Sequence, residues 1–257
     1  MTVNSYLVNR ASNAILSGPE QASINVSISS LKSRLDKYFG SDLTSHFRFG
    51  SSTRSTILPR KMDESSDIDY MVVFADGGFT PQTYLNRLRK FVDAYYSSSE
   101  FKQSSPSITL ELNHIKFDLV PAVTSIWGDG YQIPSGQTTW QGTNPNNFNA
   151  TLTAKNTANH SLIKPTIRLM KFWNAVSGYV FESYPLEKWV VEQSYWLTYT
   201  QREYLFQTVD KLPVPSDAQW RREKVERAKR IVAETRELEA GGFPYLAEAE
   251  IKKLIPA

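Results

Sequence analysis

Between residues 47 and 74 the chain reads FRFGSSTRSTILPRKMDESSDIDYMVVF: a Gly-Ser turn between apolar residues, a polar loop, and two aspartates heading a strongly apolar run. No other stretch limits the possible folds as much. Strand side chains alternate between faces, so a strand over 66–74 points Asp67 and Asp69 to one side and Ile68, Tyr70, Val72 and Phe74 to the other. Two carboxylates about 4 Å apart repel by roughly 4 kcal/mol at an effective dielectric of 20. Such a pair is costly unless a cation or a proton stands between its members. An isolated Asp-x-Asp also suits a solvated strand start, because Asp is a turn residue, so the weight falls on its surroundings.

Residues 108–123 read ITLELNHIKFDLVPAV. Apolar residues alternate at Ile108, Leu110 and Leu112, then change phase to Ile115, Phe117 and Leu119, which predicts a hairpin turning near Asn113-His114. Asp118 then falls on the face opposite Phe117 and Leu119, and packing does not explain an acid in so apolar an arm. If this arm lies beside the Asp67–Asp69 strand, three carboxylates converge, and a hard divalent cation such as Mg²⁺ is their natural counterion. Gly50, Ser51 and Ser52 supply a complementary feature. They lack bulk, so their N–H groups and hydroxyls can approach phosphate oxygens closely. The information lies in placement: Ser51 follows a strand-like HFRF and stands sixteen positions before Asp67.

Gly50-Ser51, Asp67-x-Asp69 and Asp118 together resemble the signature of the nucleotidyltransferase superfamily with a polymerase-β-like palm. The whole chain is similar to the bacterial cyclic-oligonucleotide synthases related to animal cyclic GMP-AMP synthase and oligoadenylate synthase, the CD-NTases. That resemblance implies an α+β fold. A palm of mixed sheet with flanking helices would occupy residues 1–143 and a C-terminal helical lobe residues 144–257, with the active site in the cleft between them.

Composition sets outer bounds. A chain of 257 residues, 40% hydrophobic and 12% aromatic, can bury a sizeable core. The absence of cysteine excludes disulfides, thiolate catalysis and cysteine-ligated zinc. A net charge of +3 does not demand nucleic acid and leaves room for a local groove for anionic substrates. No apolar run approaches a membrane span and the N-terminus lacks a signal-peptide core, so a soluble, cytoplasmic protein is expected.

Along the chain, Ile24, Ile28, Leu31, Leu35 and Phe39 mark a packing helix that leads into the first strand. The loop over 53–66 holds Arg54, Arg60 and Lys61, each readable as an exposed charge; Arg54, beside the Gly-Ser turn, is the candidate for holding a triphosphate. A helix is expected over 81–96, then a serine-rich connection over 97–107. Residues 127–147 are poor in charge and rich in Gly, Pro, Asn, Gln and Thr, and read as an irregular crossing between lobes. Trp140 in it pins the loop or stacks on a base. Asn144-Pro145 reads as a cap and first turn of a helix reaching about residue 155.

In the helix over 162–176, Ile163, Ile167, Met170 and Trp173 form a buried face, and Lys164, Arg168 and Lys171 a basic stripe that is ordinarily solvated. The resemblance gives Lys171 a contact to donor phosphates. It matches Ser183-Tyr184 to a pair in which Ser183 bonds phosphate and Tyr184 stacks on a base, although Pro185 stands where relatives carry histidine. An N-capping serine and a core tyrosine are the structural alternatives. Residues 186–209 read as continuously helical with mostly core aromatics, 216–240 as a charge-laced helix stopped by Gly241-Gly242, and 245–254 as a short closing helix. The motifs of P-loops, dinucleotide folds, zinc proteases and α/β-hydrolases are absent.

The resemblance implies template-independent nucleotidyl transfer. Asp67, Asp69 and Asp118 would hold two Mg²⁺ or Mn²⁺ ions, and Gly50, Ser51, Arg54, Lys171, Ser183 and Tyr184 the nucleotide. ATP, GTP, UTP and CTP are the candidate substrates. The product would be a cyclic di- or trinucleotide second messenger acting on an effector protein in antiphage (CBASS-type) defence. A monomer that requires neither nucleic acid nor membrane is expected. A nucleotidyltransferase modifying RNA ends or a protein, and a catalytically silent nucleotide-binding module, stay open.

Overall fold

The computed structural model describes residues 2–75, 77–104, 106–125 and 130–257. Trp127 and Asp129, part of the expected irregular crossing, lie outside the described residues. In chain order the elements begin with α1 (Val3–Asn13), α2 (Gly18–Phe39), β1 (Leu43–Arg48), α3 (Ser51–Arg54), β2 (Asp67–Phe74) and α4 (Pro81–Tyr95). Five strands follow: β3 (Phe101–Ser104), β4 (Ser107–Glu111), β5 (Lys116–Thr124), β6 (Tyr131–Pro134) and β7 (Trp140–Thr143). The remainder is helical: α5 (Asn147–Ala158), α6 (Ile163–Val176), α7 (Ser183–Glu192), α8 (Gln201–Lys211), α9 (Gln219–Ala240) and α10 (Pro244–Ile251). Contacts divide the chain into two compact units. A sheet unit takes Leu16–Arg60 and Glu64–Ala150; a helical unit takes the chain up to Ile15, Lys61–Asp63 and Thr151–Ala257.

In the sheet unit, the strands run in the order β1-β2-β5-β4-β3, with β6 joined to the far end of β5 and β7 to β6. β2 and β5 are parallel neighbours at the centre, and the other pairings are antiparallel. Both faces of the central pair are covered, which is why β2 reads as a nearly unbroken apolar run. Ile68, Tyr70, Val72 and Phe74 of β2 and Phe117 and Leu119 of β5 pack with Ile24, Leu31, Leu35 and Phe39 of α2 and Leu85, Leu88, Phe91 and Val92 of α4. On the other face Met71, Val73, Val120 and Ala122 pack with Phe47, Phe49, Tyr131 and Ile133. Each large side chain so buried contributes about 1.5–3 kcal/mol. α2 starts at Ser17, whose hydroxyl accepts from Glu20 N–H while the Glu20 carboxylate accepts from Ser17 N–H, a capping box of about 1 kcal/mol.

The helical unit includes α1, which packs on α6, α8 and α10. Tyr6 donates its hydroxyl to the carbonyl of Ile255 over 2.6 Å, tying the first helix to the chain's last residues. Its apolar face (Val3, Tyr6, Leu7 and Ala11) is buried, and the helices it packs on come from the C-terminal part of the sequence.

Several local expectations change. The stretch over 127–147 is not wholly irregular, because β6 and β7 pair within it as a hairpin, from Tyr131 opposite Thr143 to Pro134 opposite Trp140. Trp140 packs edge-on against Tyr84, 5.7 Å between ring centroids, and so pins the hairpin to the core. The serine-rich connection contains β3. Pro145 lies in a turn and α5 begins at Asn147. The helix expected over 186–209 is two helices. Gln193 ends the first, and a capping box between Thr200 and Glu203 starts the second. Trp196 and Tyr199, in the break, are 77% and 66% exposed, whereas Tyr204 and Phe206 are core.

Candidate active site

Strand register decides where the acids stand. In the parallel β2–β5 pair Asp69 is opposite Asp118 and Asp67 is opposite Lys116. Side chains opposite one another share a face, and Asp67 follows Asp69 onto it by the two-residue period. The three carboxylates thus occupy one face of two adjacent strands, all half-buried, at the strand starts and clear of the α2–α4 core. The hairpin expected at Asn113-His114 is formed, and it sets Thr109 of β4 opposite Asp118. Thr109 Oγ1 donates to Asp118 Oδ1 over 2.6 Å. Lys116 Nζ lies 3.6 Å from Glu111 Oε2, and Arg60 donates to the same carboxylate over 2.9 Å.

The Gly-Ser turn closes over this face. Phe49 N–H donates to the carbonyl of Asp69 over 3.0 Å, which brings the next residue onto the Asp69 side chain. Gly50 has φ +71° and ψ −154°, a conformation essentially confined to glycine. A Cβ there would stand 1.8 Å from Asp69 Oδ2 and 2.6 Å from its carboxyl carbon, so the space above the peptide belongs to the carboxylate. Ser51 opens the single turn α3. The Thr53 hydroxyl donates to the carbonyl of Gly50 over 2.8 Å and the Thr56 N–H to that of Ser51 over 3.1 Å, which ties the loop down. Arg54, at the end of the turn, is buried, with its guanidinium 5.5 Å from the centre of the Phe148 ring.

This donor set suits a hard divalent cation. Its oxygens are carboxylates and its like charges face one another across a strand pair, an arrangement that a cation relieves. Among the described residues no three carboxylate or imidazole groups are closed around one point as their side chains stand. The structure shows three donors aligned on one face.

The remaining nucleotide-binding candidates belong to the helical unit. Lys171 and Arg168 on α6 are buried, 7% and 6% exposed, so two of the three side chains of the expected solvated basic stripe are not solvated, and Lys164 is half-buried. Arg168 Nε donates to the carbonyl of Ala11 over 3.3 Å, and burial lowers its pKa to about 10. Helical periodicity cannot see this, because α1, α7 and α8 all pack on α6 and leave it little open face. Ser183 is the first residue of α7, after an N-cap at Glu182, and borders an apolar cavity of about 690 Å³ lined by Tyr179, Phe181, Leu186, Trp189 and Arg221. Tyr184 is 51% exposed and is not a core residue.

The sequence model of the Second Messenger Oligonucleotide or Dinucleotide Synthetase (SMODS) domain matches residues 1–156. The chain belongs to this family. The SMODS match includes Gly50, Ser51, Arg54 and all three acids, and stops before Lys171, Ser183 and Tyr184. A probable cyclic nucleotide synthase of Bacillus cereus (strain VD146) is 29% identical over 182 residues, 56% of this chain and 54% of that protein. The chain thus spans about half the length of the curated relative it matches. Among solved structures, the Vibrio cholerae DncV cyclic AMP-GMP synthase, in complex with the linear intermediate 5′ pppA(3′,5′)pG, superposes with a TM-score of 0.78 at 9% identity, covering 99% of this chain and 95% of that one. The Bradyrhizobium diazoefficiens CD-NTase CdnG, in complex with GTP, gives 0.73 at 11% identity and 98% coverage of both chains. CdnC of E. coli MS115-1 with ATP gives 0.70 at 14% identity, covering 99% and 98%. At these identities the likeness is one of fold, the α+β fold of the CD-NTases, matched over 98–99% of this chain.

Thr109 and Lys116 are neighbours of the acids that the motif did not name. The signal for Thr109 was present: a hairpin centred between Asn113 and His114 pairs residue 109 with residue 118.

Proposed function

We propose that this protein is a template-independent nucleotidyltransferase that joins NTPs into a cyclic di- or trinucleotide, a second messenger for an effector protein in antiphage defence. The observation that carries the reading is the alignment of Asp67, Asp69 and Asp118 on one sheet face under the Gly50 turn, inside the residues matched by the SMODS model. The residues of that face and turn supply the steps. Asp67, Asp69 and Asp118 would hold the cations, Mg²⁺ or Mn²⁺, two per site. When bound, the cations supply charge neutralisation on the triphosphate and lower the pKa of the attacking hydroxyl. Gly50 and Ser51 bind phosphate through N–H and hydroxyl donors, and the close approach needs a residue without a side chain. Asp118 takes the proton of the acceptor ribose hydroxyl. That oxygen forms its bond to the α-phosphorus as the bond to the β-phosphate oxygen breaks and pyrophosphate leaves. A second transfer of the same kind closes the ring of a dinucleotide, and a third closes that of a trinucleotide. Positioning and charge, not an activated side-chain nucleophile, then set the rate.

Arg54, Lys171, Ser183 and Tyr184 are proposed as nucleotide contacts: the cations toward phosphate, Ser183 as a phosphate donor and the exposed Tyr184 as a stacking surface. We further propose ATP as a substrate, with GTP, UTP or CTP as partner, and action as a cytoplasmic monomer. No helix among the described residues is long and apolar enough to cross a membrane. The test is incubation with every pair of NTPs and Mg²⁺ or Mn²⁺, followed by phosphatase. A phosphatase-resistant oligonucleotide, absent with Asp67→Asn, is the expected result. Label carried onto RNA or protein, or no turnover with any pair, overturns it.

A further inference from the structure

Asp118 stands in the middle of a row that crosses three strands: Asp69 on β2, Asp118 on β5 and Thr109 on β4. The chemistry above uses the first two and gives Thr109 no part. Yet Thr109 Oγ1 donates to Asp118 Oδ1 over 2.6 Å, in the short range of hydroxyl-to-carboxylate bonds, which are about twice as strong as neutral ones. The donor is also rigidly held. β4 is paired on both sides, Thr109 with Asp118 on one and with Lys102 on the other, and its neighbours Ile108 and Leu110 are fully buried.

We propose that Thr109 is a positioning residue for the third carboxylate. The terminal torsion of an aspartate is broad and roughly two-fold, so a strand fixes where Asp118 starts but not how its carboxylate turns. The bond from Thr109 fixes that turn. It occupies Oδ1 and leaves Oδ2 as the oxygen offered to a cation and to the attacking hydroxyl. The inference rests on Asp118 having the role proposed above, and it adds that β4 has a share in the site through one hydroxyl.

The test compares Thr109→Val, which keeps the shape and removes the donor, with Thr109→Ser, which keeps the donor. Binding of Mn²⁺ to the nucleotide-free protein is followed by electron paramagnetic resonance, and kcat and KM are measured where wild type turns over. Removal of a partner that orients a metal-binding carboxylate typically costs 10–100-fold, so Thr109→Val is expected to weaken Mn²⁺ binding by about 10-fold. kcat should fall by a similar factor, KM for the NTP should stay within about two-fold, and Thr109→Ser should behave as wild type. Wild-type Mn²⁺ affinity in Thr109→Val overturns the proposal. So does equal weakening in both variants, because Thr109→Ser keeps the hydroxyl donor. Should the valine variant fail to fold, Thr109→Ala carries the same comparison. A wild type that binds Mn²⁺ but makes no product counts against the proposed function, while the Mn²⁺ comparison still judges Thr109.

Discussion

At residue 50 a methyl group would collide with Asp69 Oδ2 at 1.8 Å. Gly50→Ala therefore strains the turn by about 1–3 kcal/mol and displaces a carboxylate proposed to hold the cations. Activity is expected to fall by at least about 100-fold while the fold persists, the midpoint of thermal unfolding dropping by only a few degrees. Product assays and melting curves on the same preparation check this, and an active alanine variant contradicts it. The placement was readable because glycine, serine and the paired acids stand at a fixed spacing on either side of a loop. The carboxylate itself, lying over the Gly50 peptide, is a contact that no spacing reveals. Tyr184 belongs to the same scale. Its ring is exposed, and a stacked base is worth about 1–3 kcal/mol. Tyr184→Ala should raise KM for the NTP by about 5–100-fold, with Tyr184→Phe close to wild type. Unchanged KM in the alanine variant removes Tyr184 from the site.

At the scale of elements, β2, α2 and α4 were legible because long apolar periodicities with clear ends specify them. β3, β6 and β7 were not, being four residues each and defined by the strands they join. α6 shows the opposite failure: its charges follow a solvated pattern, yet neighbouring helices bury Arg168 and Lys171. Arg168→Ala should cost about 2–4 kcal/mol, through a cavity and an unpaired carbonyl at Ala11. Denaturant unfolding measures it, and a loss below about 0.5 kcal/mol would show the surface behaviour that periodicity suggested. In the sheet unit, His46 of β1 bridges the Tyr70 hydroxyl on β2 and Asp36 on α2, 2.8 Å to each. Burial, helped by the charge of Asp36, pushes the Tyr70 pKa from 10.0 up to about 12. Between those values the unfolded chain has lost the proton and the folded chain keeps it. The contribution is therefore whole below about pH 10 and declines as pH rises toward 12. Tyr70→Phe should lose less stability than wild type between about pH 10 and 12, read as urea midpoints. Parallel declines would contradict it.

For the whole molecule, the sequence carried the α+β fold class, and the superpositions agree with it. The membership of α1 in the helical unit was not legible, because its partners, α6, α8 and α10, lie more than a hundred residues downstream. Everything proposed for this molecule requires that one sheet face, defined by the parallel β2–β5 register, bind the cations of a nucleoside triphosphate. Anomalous diffraction from crystals grown with Mn²⁺ and a non-hydrolysable NTP tests it most directly. Manganese peaks bonded to carboxylate oxygens of Asp67, Asp69 and Asp118, with the triphosphate beside Gly50 and Ser51, are the expected result. A triphosphate bound elsewhere, with no manganese at those three acids, would contradict it.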